Sequence, residues 1–284
     1  MQRNRMTALA LALGMVFPAA AGAGERTGVP GGDWADIQSR GRLLHEHQRA
    51  LLLAEQRAGA SATFRSDARP LTAVSEKTGS SEITVTFADA TGAALYRVAI
   101  DLRRHRPGPL EVFLHPRPAN AYVHQAVLAH ARAFQVDVDT CGYEVLGIVL
   151  PHAHEPGLWQ VYLLPRVGRG EAIPVGASHR IETDGREVLA RRAFADTCVV
   201  VDHGPGSVGV MVASAAGESV PTEVHVFWSL WAALPMYVGT DSGLWSIREG
   251  AIDPPRAMNA SHQAGAAGGA GGLPHAQAAI PSGR

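Results

Sequence analysis

The chain reads as an α+β protein, a mainly antiparallel β-sheet or sandwich with an N-terminal amphipathic helix and one further helix. Three observations predict this class. Many short segments alternate apolar and polar residues with a period of two, or are rich in β-branched and aromatic residues, and most end at Gly, Pro, Asp or Asn. Good helix formers fill a stretch ahead of them, and a second helical stretch interrupts them. Runs of strands broken by a helix, without a regular strand–helix alternation, belong to α+β proteins.

The first element covers residues 33–60. Asp33 is placed to cap it, Gly59 to stop it, and Trp34, Ile37, Leu44 and Leu51 recur at spacings of three and seven on one face. Gly41 and the polar Gln48 interrupt that stripe, so the helix is expected to pack on its own domain and not in a coiled coil. Residues 61–81 read as a polar linker. A single β-rich globular domain then runs over 82–252, with strands predicted at EITVTFA, ALYRVAIDL, LEVFLHP, YEVLGIVLP, LWQVYLLPR, SHRIET, TCVVVD, VGVMVA and TEVHVFWSL. Within it, NAYVHQAVLAHARAF puts Val123, Val127, Ala131 and Phe134 on one side, which predicts the second helix. TEVHVFWSLW is apolar on both faces of a strand, so it is expected to be central and buried, with His225 a core histidine. Turns near Leu234-Pro235 and at Asp241-Ser242-Gly243 close the domain.

The ends of the chain differ from its middle. Residues 1–23 carry Arg3 and Arg5 ahead of an apolar run from Met6 to Phe17, then small residues at Ala19, Ala21 and Ala23, the pattern of a secretory signal peptide. That run is about a dozen residues, against roughly 20 needed to cross a bilayer, and no later segment is long and charge-free enough to span. Residues 24–32 read as a flexible lead-in, and 253–284, rich in Ala, Gly and Pro, as a disordered tail. The periplasm or the medium is therefore the expected location. In such an oxidising compartment the two cysteines, Cys141 and Cys198, are expected to form a disulfide. Closing a loop of that length would contribute roughly 4 kcal/mol in the chain-entropy model.

Composition narrows the partners. With 46% hydrophobic residues, 18% charged and a formal net charge of −1, nothing points to a polyanion. The basic clusters at Arg103-Arg104-His105-Arg106 and Arg191-Arg192 lack interleaved aromatics and read as solvated loops, so nucleic acid is not expected. A protein, an envelope component or a small ligand remains.

Few residues look like chemistry. His152 and His154, in LPHAHEP, would face one way on an extended strand and could share a cation, although Pro151 and Pro156 favour a loop or strand end. Gly168, Pro174, Gly176 and His179 resemble the second motif of the cupin family, and His152 and His154 resemble the histidine pair of its first motif. The resemblance implies a divalent metal held by His152, His154 and His179. The chain departs from the pattern at Thr183, where cupins usually have asparagine, and at Leu158 and Trp159, where a glutamate ligand belongs. The spacing is also short between His154 and Gly168. A JAMM-type metalloprotease needs a proline after its second histidine, and Glu155 stands there. Ser207 lacks the glycine two residues before it that a nucleophile elbow requires, and Asp241-Ser242-Gly243 reads as a hairpin turn. There is no phosphate-binding or dinucleotide fingerprint. Two readings follow: an exported, non-catalytic binding or interaction domain of the cell envelope without catalytic residues or cofactor, and, as the alternative, a cupin-like metal protein using His152, His154 and His179.

Overall fold

The structure is a computed structural model that describes residues 33–168, 172–204 and 206–255. The expected signal peptide and lead-in, and all of the expected tail but residues 253–255, lie outside the described residues. Among the described residues, three mostly antiparallel sheets and four α-helices make an α+β fold.

Helix α1 (Asp33–Gly59) lies where the sheets meet. It buries Leu44, Ala50, Leu51, Ala54 and Ala58, along with the polar His47 and Gln48, while Trp34 and Ile37 are half-buried against the same core. A short α2 (Ala62–Arg65) follows. The first sheet runs β1 (Thr72–Gly79), β2 (Glu82–Ala88), β3 (Ala93–Asp101), with β4 (Arg106–Pro107) and β5 (Glu111–Pro118) both pairing β3. Residues 61–81 are thus not a linker. Thr72–Gly79 pairs antiparallel with β2 from Thr72↔Ala88 to Gly79↔Glu82. As an edge strand, β1 exposes Lys77 and Thr78 to solvent and buries only Val74 and Ser75, and edge strands carry such polar residues to discourage further pairing.

Helix α3 (Ala121–Ala133) is capped by Asn120, whose side chain accepts from the Val123 amide at 2.8 Å. It packs on the second sheet, the antiparallel meander β6 (Val145–Pro151), β7 (Trp159–Pro165), β8 (His179–Thr183), β9 (Val188–Ala193). The segment TCVVVD forms no strand of its own: Val201 makes an isolated bridge with Ile173.

The third sheet, β10 (Val210–Ala213), β11 (Met236–Thr240), β12 (Gly243–Arg248), β13 (Ala251–Asp253), is antiparallel except for the parallel pair β10–β11. Two parallel neighbours need a crossover, and α4 (Glu223–Ala232) supplies it. The expected strand TEVHVFWSL is therefore a helix, giving three helices after α1 where one was expected. A helix apolar on every side suits a fully enclosed position, and apolar runs of this length do not distinguish helix from strand by period. Local signals did favour the helix. Thr222 is its N-cap, Glu223 sits in its first turn, and Ala233, with φ of 54°, ends it in the left-handed region.

Candidate functional site

Period-two alternation gives the second sheet two different faces. Val149 on β6, Trp159, Val161 and Leu163 on β7, and Ile181 on β8 join a dry cluster under α3 with Val123, Ala126 and Val127. The opposite face turns toward α1 and α4. There Tyr162 stands directly across from Arg180, and Gln160 from Glu182.

These side chains form one network with residues from both helices. Arg180 pairs with Glu223, the first residue of α4, at 2.8 Å, and with Glu182 at 3.1 Å. Tyr162 donates its hydroxyl hydrogen to Glu223 at 3.1 Å, and the Gln160 amide donates to Glu182 at 3.0 Å. Arg40 of α1 donates from Nε to the Tyr162 hydroxyl at 3.3 Å, and from Nη2 to the Gln160 side-chain oxygen and, at 3.1 Å, to the Pro151 carbonyl. Burial, and then the Glu223 charge, pushes the Tyr162 hydroxyl up to about 12, so it remains a neutral donor. Glu223 also lies in the first turn of α4, at the positive end of that helix.

Gly41 permits this convergence. A Cβ there would come within 2.5 Å of the Val226 Cβ and 2.7 Å of the Glu223 carbonyl oxygen. α1 and α4 therefore touch backbone to backbone beside Arg40. The glycine that interrupts the stripe of α1 in sequence is the contact point of two helices.

Next to the network is an open cleft of about 400 Å³. Asp36, Ile37, Ser39, Arg40 and Leu43 of α1 form one wall, Gln160, Tyr162, Arg180 and Glu223 the floor, and the loop residues His152, Ala153 and His154 the rim. His152 Nδ1 accepts from the backbone amides of His154 (3.3 Å) and Glu155 (3.1 Å), which folds the loop and assigns the ring proton to Nε2. The rings of His152 and His154 are 6.3 Å apart, centroid to centroid.

His179 does not join them. It pairs with Leu163, four residues along β7 from Trp159, where β6 hands over to the His152 loop, and strand geometry makes that about 13 Å. Its Nε2 is bonded to the Asp139 carbonyl at 2.7 Å, and its neighbourhood is the disulfide end of the sheet. Among the described residues, the one set of at least three His, Cys, Asp or Glu with donor atoms within 4.8 Å of each other is Asp139, Cys141 and Cys198. There the two sulfurs are bonded to one another, with Cα atoms 5.7 Å apart. The cupin-like spacing around Gly176 has a packing cause: a Cβ there would lie 2.1 Å from the Thr197 carbonyl oxygen and 2.8 Å from the Cys198 Cα. That glycine lets the Cys198 segment cross close by, and the Gly176 amide donates to the Val199 carbonyl at 3.1 Å. His225 is fully buried. Its Nδ1 accepts from the Thr222 amide at 3.0 Å as part of the α4 cap, and burial lowers its pKa to about 4.

Sequence reasoning passed over Arg40, Gln160, Tyr162, Arg180 and Glu223, because the fold gathers them from four elements and no two share a motif. One signal was present. Gln160 and Tyr162 are two apart on a strand whose other face, Trp159, Val161 and Leu163, is apolar, and Arg180 and Glu182 likewise share one face of their strand. No protein-family profile, curated protein or solved structure matches the chain.

Proposed function

We propose that the protein is an exported, non-catalytic binding domain of the cell envelope, and that it takes a small ligand in the cleft between α1, the His152 loop and the floor of β7, β8 and α4. One observation carries the reading. A concave site places half-buried apolar side chains, Ile37 and Leu43, beside a hydrogen-bonded set of charged groups held by three separate elements. Ligand sites combine these features, an apolar lining with a few fixed polar groups. Export is supported by the signal-peptide pattern, by the Cys141–Cys198 disulfide, and by the observation that no described helix is long and apolar enough to cross a membrane.

The test uses protein exported by a disulfide-forming host, as wild type and as Ala153→Trp, which fills the cleft from an exposed loop position without entering the core. Native mass spectrometry should find a small co-purifying mass on the wild type and lose it in the variant. A mass retained by both, or by neither, overturns the cleft as the site. Chemical conversion of the eluted molecule by fresh protein overturns the non-catalytic reading.

A further inference from the structure

Resting on that reading of the cleft, we infer that its ligand is a small organic monocarboxylate with an apolar tail, met by the Arg40 guanidinium and the His152 Nε2–H.

The argument begins with which donors the protein leaves over. Arg40 spends Nε and Nη2 on Tyr162, Gln160 and Pro151, which fixes the plane of the guanidinium. Its Nη1 makes no hydrogen bond to a described residue, and no described carboxylate lies within ion-pair distance of Arg40. The charge of Arg180, in contrast, is met by Glu223 and Glu182. Among the described residues, Arg40 is therefore the cleft cation without a carboxylate at ion-pair distance, and it is already oriented; a preorganised guanidinium loses little entropy on meeting an anion. His152 adds a second donor on the rim, because two backbone amides occupy its Nδ1 and leave the proton on Nε2.

Charge count decides the class of anion. Glu223 and Asp36 line the same cleft, and Glu182 borders it through Arg180. Asp36, Glu182 and Glu223 outnumber Arg40 and Arg180 by one, so an anion is tolerated only at low charge: a dianionic phosphate meets twice the repulsion of a single carboxylate, whose two oxygens suit the one guanidinium edge left over. Ile37, Leu43 and Ala153 give the remainder of the ligand an apolar wall.

The experiment is calorimetric titration of the exported, full mature chain with octanoate, octylamine, 1-octanol and inorganic phosphate. Octanoate should bind one to one and at least tenfold more tightly than the other three. Arg40→Gln, checked for native structure by circular dichroism, should weaken octanoate at least tenfold and leave octanol unchanged. Should that variant fail to fold, Ala153→Glu decides. It adds a negative charge at the rim outside the network, and should weaken octanoate while strengthening octylamine. Octanol or octylamine binding as well as octanoate, with Ala153→Trp abolishing it, overturns the carboxylate inference and keeps the cleft. No binding by any of the four overturns both.

Discussion

The second sheet turns opposite chemistry to its two neighbours. Toward α3 it presents Val149, Trp159, Val161, Leu163 and Ile181, all buried and closed over by small and branched residues of the helix. Toward α1 and α4, the sheet presents the buried Leu146, Ile148, Leu150 and Leu164 to the main core and, beside them, Gln160, Tyr162, Arg180 and Glu182, which take a carboxylate and a guanidinium from the helices. The dry face follows the least costly solution for a half-buried strand. The polar face does not, because burying paired charges seldom stabilises a fold more than apolar residues of similar volume would. The Arg180 Nε has no hydrogen-bond partner among the described residues. One face of the sheet is given chiefly to apolar packing, and the other combines apolar packing with a polar cluster held in a defined geometry.

The largest expected effect compares histidines of the two sides, His130 half-buried and His47 and His225 buried. Burial lowers His130, on the α3 side, to about 4; it lowers His47 of α1 to about 3, helped by Lys77 and Arg40, and His225 of α4 to about 4. Each folded-state value lies below the ordinary 6.5, so between pH 6.5 and about 4 the unfolded chain binds protons that the folded chain does not, and stability falls as pH falls. Each histidine contributes up to about 1.4 kcal/mol per pH unit in that window. Urea unfolding at pH 7, 6 and 5 should show the decline, and His130→Leu should remove about a third of the histidine slope. An unchanged slope would mean that the α3 side is not linked to protons.

Leu163→Ala attacks the dry face alone. Leu163 is 2% exposed, and its truncation should cost about 3 kcal/mol in urea unfolding while octanoate affinity stays within twofold of wild type. A loss of affinity equal to that of Arg40→Gln would show that the two faces are not separable.

Glu223→Gln attacks the polar face. It keeps the shape but leaves Arg180 with Glu182 as its remaining carboxylate, and both Arg180 and Glu182 keep 21% of their side-chain surface in solvent. The cost should be about 2 kcal/mol, below that of a fully buried broken pair. Salt separates the two variants, since 0.5 M NaCl should shrink the Glu223→Gln deficit and leave the Leu163→Ala deficit unchanged.

Legibility in the sequence divided along the same line. The strands of the dry side were readable because Val149, Val161 and Ile181 alternate with other residues at period two, and α3 because Asn120 and its apolar stripe agree. β1 was hidden by the polarity an edge strand needs, and α4 because an enclosed helix and an enclosed strand are equally apolar. The disulfide followed from two cysteines and an oxidising compartment. The network could not be read, because Arg40, Tyr162, Arg180 and Glu223 come together only once Gly41 lets two helices cross. The paired histidines drew notice as a motif, yet one imidazole is spent folding its own loop, and His179 answers to the disulfide end.

Tyr162→Phe has the smallest expected effect and tests how the polar face is held together. The hydroxyl receives from α1, through Arg40 Nε, and gives to α4, through Glu223. Removing it should cost about 1 kcal/mol, the usual net worth of one hydrogen bond, because the ring still stacks on Phe194 at 6.3 Å and fills the same volume. A double-mutant cycle with Arg40→Gln gives the sharper number. If Arg40 is oriented by the hydroxyl, the two losses overlap, and the double variant is more stable than the sum of the single losses predicts. Strict additivity would mean that Gln160 and Pro151 alone fix the guanidinium, leaving the tyrosine hydroxyl as packing beside a site it does not shape.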